Sequence, residues 1–566
     1  MNHKDKENFF IEFMKLAGPY WNSKNTLTIW GETVLLIVLT VMQIELAVYI
    51  TQWNAALFDA IEQRSMAGVK TQVGVLTLIF IGSIAVTTAH LIVKRRLLIG
   101  WRTWLTEKVI SKWIHQGRHY QITFLSENDH DNPDGRIAED IRIATEDAVA
   151  LSHSLFYCLL LLASFTQILW GISGRVEFQF GSVSVPVMGY LIWISISYTI
   201  CASILGWWMG KSMTSATHTR QTKEANFRHD LIDIQKNSQA IALIRGETIE
   251  KERLLDSFRA VIASYAEETT AWKRIQLFTS GYSITSMALP ILVASPRYIA
   301  GAISLGMLIQ SVQAFQHMVS ALSWPVDNMT QIAKWRTSVE RVLEFMSALD
   351  NLEHDISHSN SHQIHVNEAN VSALQFNNVR LESLEGEKLS LVVNNEIQAG
   401  EHVLISDQTN NGAKLFKAIA GLWPMGSGTI EVPVGQSMFF MPPKPYLPAK
   451  SLFDAICYPK SKDAFDRVEV EKMLEQVGQK AFINQLNRVD TWEEVLSNEQ
   501  QQYLGLVRVL LHRPQWIFIQ EALDSLPPHD EAKMLKLLAY ELPLTGILTI
   551  THQPAAQAFH QRKLKI

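Results

Sequence analysis

Six apolar segments, each of roughly 20 residues or more, crowd the chain ahead of residue 326. That is the length a helix needs to cross about 30 Å of hydrocarbon. They lie at approximately Ile29–Ile50, Val73–Val93, Ala150–Ser173, Val187–Met209, Ile275–Ala294 and Ile299–Ser323. Gln43, Glu45, His90, His153 and Gln310 interrupt them and lower their hydropathy without abolishing a span. Composition agrees: 47% of the 566 residues are hydrophobic and 19% charged, with a mean hydropathy of +0.05. Six helices buried in a large soluble core is the other class such a pattern allows. Membrane lipid is the expected surrounding of the first half.

Lys and Arg then set an orientation. Between spans two and three stand Lys94, Arg95, Arg96, Arg102, Lys108, Lys112, Arg118, Arg136 and Arg142, and a comparable set runs from Lys211 to Arg274 between spans four and five. The three short connections offer only Arg64 with Lys70, Arg175 and Arg297. The bias of basic residues towards the cytoplasm therefore places both long segments and both termini on that side. Such segments are too long for structureless loops. Their patterning, as in DLIDIQKNSQAIALIRGETIEKERLLDSF, predicts helices that continue well past the membrane, with a turn at Asn132-Pro133-Asp134-Gly135. The opening stretch, MNHKDKENFFIEFMKLAG, lacks the apolar core and cleavage site of a secretory signal; Phe9, Phe10, Phe13, Met14 and Leu16 predict an amphipathic lead-in helix over 1–28. Glu45, ionisable and deep in the first span, is a functional candidate by default, here for proton coupling. Snorkelling towards the outer interface is the alternative.

Several functions are excluded early. A net charge of -5 on so long a chain implies no surface for nucleic acid. Three cysteines, Cys158, Cys201 and Cys457, give neither a disulfide framework nor metal-ligand spacing.

Behind the membrane domain (29–345), the polar run from His354 to Asn370 has no apolar period and reads as a linker over 346–370. From 371 to 566 short strands alternate with helices, the size and pattern of one α/β domain. Trp516–Ile519 and Leu548–Thr551 read as buried strands ending in Gln520-Glu521 and His552. Ligands of an open parallel sheet collect at such strand ends. Val403-Leu404-Ile405, a polar turn and a helical run from Leu415 to Leu422 form the strand–loop–helix frame of a phosphate-binding loop. Such a loop needs a lysine for the β- and γ-phosphates and a hydroxyl for Mg²⁺. Counted back from AIAGLWP, the lysine slot holds Gly412 and the hydroxyl slot Ala413, while Asp407 brings negative charge; Lys414 comes two places late.

Seven stretches carry a resemblance across nearly the full length: WNAALFDAIEQR, DNPDGRIAEDI, FRHDLIDIQKNSQAIALIRGE, ALSWPVDNMTQIAKWRTSVERVLEF, AIAGLWPMGSG, PYLPAKSLFDAICYP and LHRPQWIFIQEA. In these the chain resembles an ATP-binding cassette (ABC) half-transporter. It is most similar to the bacterial peptide and vitamin B12 uptake proteins of the BacA/SbmA type and to the peroxisomal acyl-CoA half-transporters. The resemblance implies an exporter-type fold of six transmembrane helices fused to a C-terminal α/β nucleotide-binding domain. It also implies a dimer in which one copy's phosphate loop faces the other's signature motif.

Position by position, the Mg²⁺-sensing glutamine falls on Pro443. The signature motif keeps Ser497 but has Asn498 and Glu499 for its glycines, and Glu499 would repel a γ-phosphate. The metal-binding aspartate falls on Gln520 and the dimer-contact aspartate on Pro527, whereas the water-polarising glutamate and switch histidine match Glu521 and His552. Gly412, Lys414 and Ser497 are thus remnants of nucleotide binding, and Glu521 and His552 of catalysis. ATP with Mg²⁺ is the implied cofactor, and phosphoryl transfer depends on the electrostatic groups that are missing.

Three functions remain open. One is a transporter in the bacterial inner membrane whose cassette no longer hydrolyses ATP alone, driven by a proton gradient or an intact partner, as a homodimer or heterodimer. Another is an ATP-driven transporter that uses Lys414 at a rearranged loop. The third is a non-transporting regulatory subunit. The resemblance suggests peptides, corrinoids or similar bulky substrates, and no residue selects among them.

Overall fold

A computed structural model describes residues 3–23, 25–124, 132–180, 183–358, 363–383, 388–390, 392–406, 411–553 and 558–565. The chain divides into two compact units, one of residues 1–110 and 132–346, the other of residues 111–131 and 347–566.

The first unit is built of long helices. The lead-in segment is α1 (His3–Trp21), which buries Leu16, Ala17 and Tyr20 while Phe10, Ile11 and Met14 stay exposed. Phe9 and Phe13 set their ring edges against Trp335, at centroid distances of 5.7 and 5.1 Å. There follow α2 (Thr26–Glu62) and α3 (Met66–Ile114), then, past α4 (Arg118–Phe124) of the second unit, the single turn α5 (Pro133–Gly135) and α6 (Ile141–Ser173). A hairpin of β1 (Arg175–Phe180) and β2 (Val183–Met188) leads into α7 (Tyr190–Lys236). The unit is completed by α8 (Ser238–Ile244), α9 (Glu247–Ile299), α10 (Leu305–Asp327) and the start of α11 (Met329–His358).

Among the described residues five helices, α2, α3, α6, α7 and α9, are long and apolar enough to cross a membrane. Their outward side chains, among them Leu78, Ile81, Leu277 and Ile284, are large, apolar and exposed, as lipid requires. The sixth, α10, is less apolar because it packs against α2, α6, α7 and α9 rather than lipid. It buries Gly306, Ser311, Ala314 and Ala321 there, small residues that let helices approach closely. The sequence pattern ran span six from Ile299; instead α9 continues to Ile299 and a turn with Gly301 at φ +72° precedes α10. Pro290 and Pro296 lie inside α9, tolerated where neighbouring helices satisfy the freed carbonyls. As the patterning predicts, α7 and α9 run on for 47 and 53 residues.

Asp59 and Glu62, in the WNAALFDAIEQR stretch, close the N-terminus of α10. Gly306 N–H donates to Asp59 Oδ1 at 2.7 Å and Leu305 N–H to Glu62 Oε2 at 3.1 Å. Ser304 caps the same turn by accepting from Met307 N–H at 3.2 Å. Carboxylates at a helix N-terminus satisfy free N–H groups and the helix dipole together.

The second unit holds two sheets. Five parallel strands stand in the order β11 (Arg562–Lys565), β6 (His402–Ser406), β10 (Gly546–Ile550), β9 (Trp516–Gln520), β8 (Met438–Met441). A second sheet runs β3 (His365–Ala369), β7 (Gly426–Pro433), β4 (Ala373–Leu381), β5 (Val393–Gln398). Helices α12 (Gly412–Ile419), α13 (Leu452–Cys457), α14 (Arg467–Gln476), α15 (Trp492–Val495), α16 (Asn498–His512) and α17 (Pro528–Glu541) complete it. Strand β9 feeds two cores, Ile517 and Ile519 on one face, Trp516 and Phe518 on the other, since a central parallel strand is covered on both sides. Residues 111–124 belong to this unit through contacts such as Gln121 Nε2 to Gly421 O at 3.2 Å and Lys417 Nζ over the Tyr120 ring at 5.5 Å. The expected linker over 346–370 is different in detail. It is helix to His358, and His365–Ala369 pairs as a strand with Thr429–Pro433, because alternation too short to register as a period still supplies an edge strand with partners.

Candidate functional site

Four strands and two helices converge on the cassette's candidate site. Strand β6 ends at Ser406; Asp407 lies outside the described residues. Beyond it Asn411 is buried, with Nδ2 donating to Leu389 O at 2.6 Å, and Gly412 and Ala413 are buried at the start of α12. Lys414 turns away from that end: its Nζ lies 5.4 Å from the Trp423 ring centroid, a cation–π contact. Trp423 is itself held by its Nε1–H donating to Glu382 O at 3.2 Å.

At the other strand ends the chemistry persists. Glu521 follows β9 in a left-handed conformation, φ +49°, with its N–H donating to Ile550 O at 2.8 Å. That turn brings Glu521 Oε1 within 3.1 Å of His552 Nε2. Gln502, buried on α16, ties the surroundings together: Nε2 donates to Pro443 O at 3.0 Å and Oε1 accepts from Ser525 N–H at 3.0 Å. Ser497 is exposed at the head of α16, where it forms a reciprocal capping box with Gln500. Among the described residues Glu521 and His552 are thus brought together, while neither Lys414 nor Ser497 is hydrogen-bonded or ion-paired to them.

The sequence pattern did not reveal Glu531. It is buried in the first turn of α17 and accepts from Thr551 Oγ1 at 3.2 Å, and the same hydroxyl lies 3.0 Å from Asp524 Oδ1. Burial, with the Asp524 charge adding to it, pushes the Glu531 carboxyl up to about 7 against the pull of the Thr551 bond. Its Oε2 is buried without a hydrogen-bond partner. An acid closing the polar run Pro527-Pro528-His529-Asp530-Glu531 gives no sequence sign of burial.

In the membrane unit, Glu45 is exposed on α2 and has no hydrogen-bond or ion-pair partner among the described residues. A mostly apolar cavity of about 350 Å³ lies on another face of that helix, where Leu46, Ala47 and Ile50 stand beside a polar strip of Gln43, Ser83, Thr87, His153, Ser154 and Tyr157. His153 also borders an apolar cavity of about 660 Å³ formed with α1, α2 and α3, including Trp21, Trp30 and Trp101. Its Nε2 stands 2.7 Å from His90 Nε2 on α3. Both histidines interrupt apolar spans in the sequence; 63 positions apart, nothing in the pattern pairs them.

Comparison with known proteins follows the same lines. The family described as ABC transporter transmembrane region 2 matches residues 14–299. An uncharacterized ABC transporter ATP-binding protein of Haemophilus influenzae is 27% identical, covering 98% of this chain and 91% of its own length. The inner membrane ABC transporter ATP-binding protein YddA of Escherichia coli is 26% identical over 96% of this chain and 95% of its own. ABC transporter D family member 2, chloroplastic, of Arabidopsis thaliana is 24% identical, covering 98% and 86%.

Proposed function

This chain belongs to the ABC transporter transmembrane region 2 family, and from that premise we propose that it is a transporter whose cassette no longer hydrolyses ATP by itself. It is a multi-pass membrane protein with an exporter-type helical domain fused to an α/β domain. The observation that carries the proposal is the placement of Lys414: the basic side chain nearest the lysine slot rests on Trp423, and the slots themselves hold Gly412 and Ala413. Without a cation, a hydroxyl and the carboxylate replaced by Gln520, nothing neutralises the charge that develops on a transferring phosphoryl group. Transport then draws on a proton gradient or on an intact partner chain. The cargo is a bulky compound, a peptide, corrinoid or similar, as the BacA/SbmA-type resemblance suggests. The protein works as a homodimer or heterodimer; Leu243 and Ile244, exposed on the tip helix α8, offer apolar surface for a second copy. The basic-residue bias supports a bacterial inner membrane location with both termini cytoplasmic.

The test is nucleotide binding and turnover by the purified, reconstituted full chain, alone and with any coexpressed homologue. No analogue binding at millimolar concentration and no turnover by the chain alone is expected. A second reading, ATP-driven transport, is favoured by one observation, the Glu521–His552 contact at 3.1 Å. Turnover abolished by Glu521→Gln or Lys414→Ala would establish it in place of the first.

A further inference from the structure

We propose that His90 and His153 form a one-proton clasp between α3 and α6, the proton-binding site of the membrane domain. The inference rests on the proton-driven branch of the reading above. An Nε2···Nε2 separation of 2.7 Å admits a single hydrogen. In the neutral pair one ring donates and the other accepts; an imidazolium donates from both nitrogens and accepts at neither. The clasp therefore takes up one proton at a free ring nitrogen and keeps its hydrogen bond, but a second proton removes the acceptor. Two cations at contact then repel by about 4 kcal/mol at an effective dielectric constant near 20, so the second proton parts the rings. Uptake is a proton transfer from hydronium reaching the cavity: its O–H bond breaks, an N–H bond forms at the free ring nitrogen, and water is left behind.

The setting fits this use. His153 forms part of the wall of that cavity, about 350 Å³, where Ser83, Thr87, Ser154 and Tyr157 offer a water molecule polar partners among apolar neighbours. His153 also lines the larger apolar cavity. Charged groups nearby are few. Lys94 lies one turn from His90 along α3, followed by Arg95, and Tyr157 lies one turn from His153 along α6. Helix α2 contributes Gln43 to the shared cavity, its Glu45 being exposed elsewhere and its Glu32 lying near Tyr20. Helix α1 contributes apolar and aromatic side chains. No carboxylate among the described residues pairs with either ring, so added charge is shared between the two histidines. Each such pair of titrating groups behaves as a unit.

The experiment is solid-state NMR of the full-length protein, labelled with ¹⁵N-histidine and reconstituted in liposomes, between pH 9 and pH 3. The two ring signals are identified by their loss in His90→Gln and His153→Gln. The expected result is coupled titration: the wild-type pair changes in two steps spread over more than the roughly 2 pH units a single site needs to go from 10 to 90%. In each variant the remaining histidine titrates in one ordinary step. Where a glutamine variant misfolds, His90→Asn or His153→Asn supplies the same assignment, so the test is not blocked. Independent single-step curves in the wild type, or two rings neutral down to pH 3, would overturn the proposal. ATP turnover measured on the same liposomes separates the two claims: turnover removes the proton-driven reading and leaves the clasp, whereas independent titration removes the clasp and leaves that reading.

Discussion

The helices α10 and α12 each carry a glycine in the first turn, and their N-termini have been supplied very differently. At α10 the N–H groups of Leu305 and Gly306 meet the carboxylates of Glu62 and Asp59. At α12, which stands where the fold would seat a phosphate, Asn411, Gly412 and Ala413 are buried and the nearest lysine lies on an aromatic ring. A helix N-terminus offers the same dipole in both places. What differs is the setting: carboxylates of α2 meet the N–H groups of α10, whereas α12 begins in a buried turn whose Asn411 amide donates to Leu389 O. Helix α12 is also needed for packing, through Leu415, Phe416 and Ile419 in the core between the two sheets.

The most severe way to break the contrast is to add a methyl group at each glycine. In Gly306→Ala the new Cβ runs into the Ala55 carbonyl oxygen and lies 2.5 Å from Asp59 Oδ1, so backbone must move; a loss of about 3 kcal/mol or more is expected. In Gly412→Ala it meets the flexible end of Ile550 at 2.9 Å, and about 1 kcal/mol is expected. Thermal unfolding of both variants in the same detergent tests the difference, and equal losses would refute it.

A third helix start sharpens the comparison through pH. Glu531, in the first turn of α17, holds its proton up to about 7 in the folded state, against about 4.3 for an unperturbed glutamate. The folded state thus binds more protons than the unfolded one between these values, so stability present at low pH is lost as pH rises through that window, by roughly 3 kcal/mol in all. Denaturant titrations of wild type and Glu531→Gln at pH 5 and pH 7.5 should show this slope only in the wild type.

Asp59→Asn and Glu62→Gln should each cost about 1 kcal/mol, the usual value of an N-terminal cap with its charge, read as a lowered unfolding midpoint. Smallest of all, Lys414→Ala should lose about 0.5 kcal/mol, the worth of an exposed cation–π contact, and leave nucleotide binding where it was. A change in binding would return Lys414 to the nucleotide site.

Much of this architecture is legible in the sequence, because spans of about 20 apolar residues and their helical continuations are local signals. The frame around β6 and α12 is legible for the same reason, and so is the strand-end placement of Glu521 and His552. What is hidden depends on partners distant in the chain. Gly301 and its neighbours are apolar enough to blur the break between α9 and α10. His90 looks like a blemish in one span and His153 in another until the fold sets them in contact. Lys414 looks available for phosphate until Trp423 is placed beneath it, and Glu531 looks solvated until α17 packs against the end of β10.

The long helices α7 and α9 carry a mechanical consequence. At 1.5 Å per residue the 53 residues of α9 extend about 80 Å, of which about 30 Å suffices for the bilayer. Residues 247–274, ahead of the apolar span, form a lever of about 40 Å. A tilt of about 5° within the membrane swings its far tip by roughly 3–4 Å, with the fulcrum among the spans. Leverage works in both directions: a tip held fixed by a partner turns a small force into a large torque on the transmembrane helices, whatever the source of that force.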